Sequence, residues 1–205
     1  MKLIILAAAG ATGHELTQQA IERGHDVVAV VRERARLRLP ATPHLTVVKG
    51  DVHDPETIVR ALGDDAIVLS GLGTTDRGET GVLTAGARAV LAARPRRILW
   101  LGAYGTGASA AAAGWATRTL LSLMGARLND KVTADTIILS AGGTVFHAGP
   151  LSTGPISRDR RTVGVDEAPR RFFPARVSRA TVAAAMLDEA EFPQFARITA
   201  IPLAR

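Results

Sequence analysis

Cysteine is absent from the 205 residues, tyrosine occurs once, and lysine stands only at Lys2, Lys49 and Lys131. Without thiols there is neither a disulfide framework nor thiolate chemistry, which agrees with a cytoplasmic location. His14, His25, His44, His53 and His147 show no metal-ligand spacing, so no metal is expected. A G-x-S-x-G nucleophile elbow is missing, and no lysine follows a glycine as a phosphate loop of the Walker type requires. Aromatic residues make up only 4%, and no helix-turn-helix pattern accompanies the formal charge of +6. The arginines that carry this charge cluster at Arg32 to Arg38, Arg94 to Arg97, Arg158 to Arg161, and Arg170 with Arg171. Solvated loops and local anion contacts account for such clusters, and no nucleic-acid partner is expected.

Long uncharged stretches do occur, from Ile98 to Thr117 and from Thr136 to Ser157, but glycines interrupt both, and Pro150 and Pro155 break the second. Neither is expected to cross or bind a membrane. The chain enters a strand at once, without the pattern of a signal peptide. With 47% apolar and 21% charged residues, one globular domain with a full core is expected over residues 1–205.

What is present is organised around Leu3 to Arg32. Leu3 to Leu6 is an apolar run without alternation, as in a parallel strand buried on both faces. Gly10 and Gly13 bracket a turn, and from Thr12 the apolar positions Leu16, Ala20 and Ile21 recur at helical spacing until Gly24 supplies a stop. Asp26 to Val31 is a second strand. In such a unit the free N–H groups at the helix start attract an anion, most often a dinucleotide pyrophosphate. Gly10 is expected to permit the tight turn and Gly13 to let the phosphates approach the backbone. The third glycine of the usual fingerprint is replaced by Leu16, so the first helix should sit differently or farther out. At the tip of the second strand an acid would grip ribose hydroxyls, and arginine the extra phosphate of NADP. Arg32 and Arg36 suit that phosphate, with Glu33 the one acid nearby.

Strands follow at Leu45 to Val48, Ala66 to Leu69, Arg96 to Leu101, Thr144 to His147 and Arg197 to Ile201. Helical patterns separate them: Ile58 to Leu62 behind a start at Asp54, Pro55 and Glu56, then Glu79 to Ala93, Trp115 to Met124, Leu128 to Leu139, and Val177 to Glu191 with Ser178 near its start. The basic segment Ser157 to Arg171 lacks periodicity and reads as loop. This alternation implies a doubly wound α/β parallel sheet, Rossmann-like, in one domain. Asp51 either brackets adenine or anchors its turn. The small-residue loop from Ser70 to Thr75 is placed to pass beneath a cofactor, with Gly71 and Gly73 allowing the approach. The strand-five exit from Gly102 to Ser109 and the loop at Ala148 to Ile156 should reach the same carboxyl edge, where open sheets bind ligands.

Four segments carry a family resemblance: G-A-T-G at Gly10 to Gly13, V-V-R-E-R-A-R-L at Val30 to Leu37, G-D-V at Gly50 to Val52, and G-T-V-F-H-A-G-P-L-S-T-G at Gly143 to Gly154. Together they resemble the atypical short-chain dehydrogenases, in the NAD(P)H-binding group that includes biliverdin reductase B, flavin reductases and NmrA-like regulators. The resemblance implies NADP (NADPH) held by Gly10, Thr12, Gly13, His14, Arg32 and Arg36, by Asp51 and Val52 near adenine, by Gly71, Leu72 and Gly73 under the ribose, and by Gly102 and Pro150. Departures are specific. Where the family's fifth strand exits through serines, Gly102 and Ala103 stand; the T-I-V-R-P-G motif becomes Thr144 to Gly149, with His147 for the arginine; and Asp135 takes the place of a glutamate, with Lys131 retained.

The usual dehydrogenase pair sets a tyrosine acid four residues before a lysine, but Tyr104 is followed at that distance by Ala108. Hydride chemistry belongs to the nicotinamide, so positioning alone would serve an acceptor that takes its proton from water. Tyr104, His147 and Lys131 are the remaining catalytic candidates. The leading expectation is an NADPH-dependent reductase of a small planar acceptor, a flavin or quinone. A non-catalytic NADP-binding regulator, and an isomerase or cyclase that has lost the cofactor, are the alternatives. Self-association is left open.

Overall fold

A computed structural model describes residues 1–63, 65–73, 80–111, 113–114, 125–169 and 174–204. Seven apolar runs become parallel strands: β1 (Lys2–Leu6), β2 (Asp26–Val31), β3 (Leu45–Lys49), β4 (Ile67–Ser70), β5 (Arg97–Ala103), β6 (Thr144–Ala148) and, last in the chain, β10 (Thr199–Leu203). They lie in the order β3-β2-β1-β4-β5-β6-β10, and β8 (Arg161–Gly164) closes the edge antiparallel to β10. β8 corrects the reading of Ser157 to Arg171 as loop throughout. Its segment has no alternation to betray it, because Val163 is its one buried residue.

Side chains of successive strand residues point to opposite faces, so each central strand feeds two cores. Leu3 and Ile5 of β1 join Leu16 and Ala20 of α1 (Ala11–Glu22) and Val182, Ala183 and Met186 of α5 (Arg179–Glu191). Ile4 and Leu6 face α2 (Pro55–Leu62), α3 (Val82–Ala92) and α4 (Ala126–Ser140) across Ile58, Leu83, Ala87 and Ile138. The expected helix at Trp115 to Met124 lies outside the described residues, as do Glu79 at the expected start of α3 and Arg170 with Arg171. Two local starts differ from expectation. Asp54 sits at the N-cap of α2, but its side chain makes no cap bond; Thr57 does the anchoring, its Oγ1 donating to the Asp54 carbonyl at 2.6 Å and accepting from the Asp51 N–H at 2.9 Å. Before α5, Val177 and Ser178 form a short strand β9 paired with β7 (Leu151–Ser152). Ser178 then caps α5, its Oγ accepting from Thr181 N–H at 3.1 Å.

Among the described residues no helix is long and apolar enough to cross a membrane. Nor do three His, Cys, Asp or Glu side chains among them come together as a metal site.

Candidate functional site

A cleft of about 730 Å³ opens at the carboxyl edge of the sheet, where the connections leaving the paired strands β1 and β4 run to opposite sides. That is the switch point at which doubly wound folds bind nucleotides. Its wall is built from strand exits: Leu6 and Ala7 after β1, Val31 to Glu33 and Arg36 after β2, Gly50, Val52 and His53 after β3, Gly71 to Gly73 after β4, and Leu101 of β5. Gly10, Ala11 and Thr12 add the start of α1, which carries no side-chain cap, so its first amides are available to an anion. These residues fit a dinucleotide: an uncapped helix start lies beside a strand tip bearing arginine.

Of the positions expected to hold the cofactor, Gly10, Thr12, Arg32, Arg36, Val52, Gly71, Leu72 and Gly73 line this cleft. Gly13, His14, Asp51, Gly102 and Pro150 do not line it. Gly13 is buried, and a Cβ there would strike the Ala7 carbonyl and come within 2.8 Å of Ala8 Cα. It therefore does the helix-to-strand packing expected of a third glycine, which explains how Leu16 is accommodated. Leu16 is wholly buried in the core, worth roughly 1.5–3 kcal/mol, and leaves the cleft clear. The helix is not pushed outward. The unusual backbone of the turn belongs to Ala7, at φ +58°, while Gly10 has an ordinary φ of −77°. Gly71 is a second close-packing glycine, since a Cβ there would sit 2.8 Å from Gly13 N.

His14 tethers the arginine-rich loop through Nε2, 3.3 Å from the Arg38 carbonyl. Asp51 anchors its turn by accepting the His53 N–H at 3.0 Å. Pro150 gives its carbonyl to Val177 N–H at 3.2 Å, and the next residue, Leu151, lines the cleft instead. Residues that the sequence did not single out also line it: Ala7, His53, Leu101, Leu151 and Arg179. A signal for Arg179 existed in its place just after a Ser cap, because a helix start at the carboxyl edge of the sheet faces the ligand side.

The three catalytic candidates lie elsewhere. His147 is fully buried on β6, with Nε2 2.9 Å from Asp135 Oδ2 and Nδ1 2.6 Å from Ser109 Oγ. Ser109, also fully buried, accepts the Gly105 N–H at 2.8 Å. The line Asp135–His147–Ser109 has the residue types of a hydrolytic triad, but a serine sealed from solvent cannot meet a substrate. Gly102 belongs to this line, since a Cβ on it would lie 2.7 Å from His147 Cδ2 and 2.9 Å from Asp135 Oδ2. Tyr104 is 8% exposed and packs with Ala113, Val163 and Ile201. Lys131 is half-buried on α4; burial pushes its ammonium below the ordinary value while Asp135 and Asp130 draw it back up. None of the three lines the cleft.

Sheet order, cleft position and uncapped helix start define a doubly wound nucleotide-binding protein. The chain belongs to the NAD(P)H-binding family, whose model matches residues 7–193. It is 32% identical over 69 residues to the photosystem II assembly factor Ycf39 of Synechocystis, a match spanning 33% of this chain and 21% of that protein. In structure it is similar to a short-chain dehydrogenase/reductase from Veillonella parvula in complex with NADP, with a TM-score of 0.80 at 20% identity over 98% of this chain and 93% of that one. ChuY, an anaerobillin reductase from Escherichia coli, gives a TM-score of 0.79 at 18% identity over 99% and 97%. At these identities the two structures speak for the fold.

Proposed function

We propose that the chain is an NADPH-dependent reductase of a small planar acceptor such as a flavin or quinone. The observation that carries this reading is the cleft itself: it pairs a dinucleotide-shaped wall with an acceptor end that lacks the expected acid and base. Tyr104, His147 and Lys131 all stand off its wall. The chemistry supplied by a bound nicotinamide is hydride transfer. The protein's part is then to orient the two rings against Leu6, Leu101 and Leu151 and to leave protonation to water, which suits an acceptor whose reduced form picks up its proton freely.

The preference for NADPH over NADH rests on the β2 tip. Arg32 has no ionic partner among the described residues, whereas the Glu33 carboxylate is taken by Arg36 Nε at 2.8 Å. The acid that would select ribose hydroxyls is thus engaged, and the guanidinium that would select a phosphate is open. The NADP complex of the Veillonella relative and the reductase activity named for ChuY support the same reading. NADPH oxidation should be followed spectrophotometrically with riboflavin, FMN and a naphthoquinone. Turnover with at least one, and slower turnover with NADH, is expected; binding of NADPH with no oxidation by any acceptor would replace this reading with the next.

That second reading, a non-catalytic NADP-binding regulator, draws on the same displacement of the candidate acids. It predicts NADPH binding without turnover. An isomerase or cyclase that has lost its cofactor would be favoured if Leu16, standing in place of the third fingerprint glycine, obstructed the cofactor cradle; Leu16 is instead buried in the core.

A further inference from the structure

Among the described residues, four charged side chains line the cleft: Arg32, Glu33, Arg36 and Arg179. Glu33 and Arg36 answer each other through their ion pair. Arg32 and Arg179 have no hydrogen-bonding or ionic partner among the described residues, and they differ in setting: Arg32 is exposed, Arg179 half-buried. A guanidinium drawn partly out of water normally recovers the lost hydration from an anion. No described residue supplies one to Arg179, and the wall it shares with Gly10, Ala11 and Thr12 is the place for a ligand to do so.

Arg179 is held at that place by two sets of contacts. Gln19 Nε2 donates to the Ala180 carbonyl at 3.0 Å, and Arg23 Nη1 reaches Asp188 Oδ1 at 2.9 Å, so α1 and α5 run in the same direction, with the start of α5 fixed against the later turns of α1. The β7–β9 pairing, Leu151 with Val177 and Ser152 with Ser178, fixes the residue before α5 against the loop that lines the cleft. Arg179 is the first residue of α5. From there it lines the cleft together with Gly10, Ala11, Thr12 and Leu151, whereas Arg32 stands at the β2 tip.

We propose that Arg179 binds the diphosphate of the dinucleotide, leaving Arg32 to the adenosine 2′-phosphate. NADPH carries these two anionic centres, and the wall offers two unpaired guanidinium groups in separate places. A planar fork of N–H donors matches phosphate oxygens two at a time, which lysine does not reproduce. The proposal rests on the reading that the cleft takes NADPH, and its test separates the two.

The full chain and its Arg179→Met and Arg179→Lys variants should be titrated calorimetrically with NADPH, and with adenosine 2′-phosphate, which carries no diphosphate. Arg179→Met is expected to weaken NADPH about tenfold or more, to leave adenosine 2′-phosphate within about twofold, and to be partly rescued by Arg179→Lys. Equal loss for both ligands would mean that the whole cleft had changed, and would overturn the proposal. So would unchanged NADPH affinity together with a raised KM for FMN but not riboflavin, which would assign the guanidinium to an acidic acceptor. If the unaltered chain binds no dinucleotide, the cofactor reading itself falls; if it binds NADPH normally and Arg179→Met does too, only the diphosphate role falls.

Discussion

The two ends of this sheet's carboxyl edge treat polar groups in opposite ways. On the β1–β2 side, Arg32, Arg179 and the first amides of α1 surround a cleft without protein partners among the described residues. On the β5–β6 side, every polar group of the buried line is spoken for: Asp135 by His147, His147 by Ser109, and Ser109 by Gly105. Nearby, Asp130 on α4 accepts the Leu83 and Thr84 N–H groups at 3.1 and 2.9 Å, and these bonds, with others from Thr84 and Gly81, hold its carboxyl below the usual value although burial works against ionisation. Buried polar groups that satisfy one another hold a fold together; those left open at a cleft await a ligand. On the proposed reading, the chemically suggestive residues of the second region serve stability, and the plainer ones of the first serve binding.

The comparison breaks most directly at His147. Replacing it with alanine strands a buried carboxylate, which should cost about 3–5 kcal/mol. A fall in Tm on the order of 10 °C is expected for a chain of this size, with NADPH affinity retained by the folded fraction. A large loss of affinity with little loss of stability would place His147 with the cleft instead. Gly102→Ser should cost about 1–3 kcal/mol, because its Cβ has nowhere to go while the imidazole is present. In the His147→Ala background the same change should cost less, since the introduced hydroxyl gains space and a carboxylate to bond. Denaturant titration of the four-member cycle measures this coupling, and strict additivity would dissolve the proposed contact. Arg32→Met sharpens the other side. It should weaken NADPH about tenfold and NADH little, with stability changed by no more than about 0.5 kcal/mol. Equal effects on both cofactors would remove the 2′-phosphate role.

The architecture was readable because strands buried on both faces appear as unbroken apolar runs, and Leu3 to Leu6 or Asp26 to Val31 offer little else. The arginines of the β2 tip were legible for a related reason: residues adjacent in sequence to a strand end stay adjacent in space. The contribution of α5 was not. Arg179 lies far along the chain from Gly10, and only the parallel packing of α5 on α1 brings them to one wall. The buried line was hidden in the same way. Three departures from the family pattern, Gly102 for serine, His147 for arginine and Asp135 for glutamate, stand apart in the sequence with nothing to connect them. In the structure they are one local exchange, because the imidazole and carboxylate meet where a side chain on Gly102 would stand. Spacing along the chain cannot show that positions 102, 135 and 147 are neighbours.

The smallest effect concerns Ala7. Glycine periodicity pointed to Gly10 as the conformationally demanding residue, yet the left-handed backbone is at Ala7, where a Cβ meets its own carbonyl side of the chain at a cost of about 1–2 kcal/mol. Glycine would relieve that strain and lose part of the gain, about 0.4–1 kcal/mol, to the freedom of the unfolded chain. Ala7→Gly should therefore stabilise the protein by about 0.5–1 kcal/mol and raise Tm by about 2–3 °C. Ala7 also lines the cleft, so removing its methyl widens the wall beside the α1 amides without touching a polar group. NADPH affinity should hold or rise. A drop in Tm would show that the methyl group contributes packing worth more than the strain it carries, and the turn would then be tuned for stability on the binding side as well.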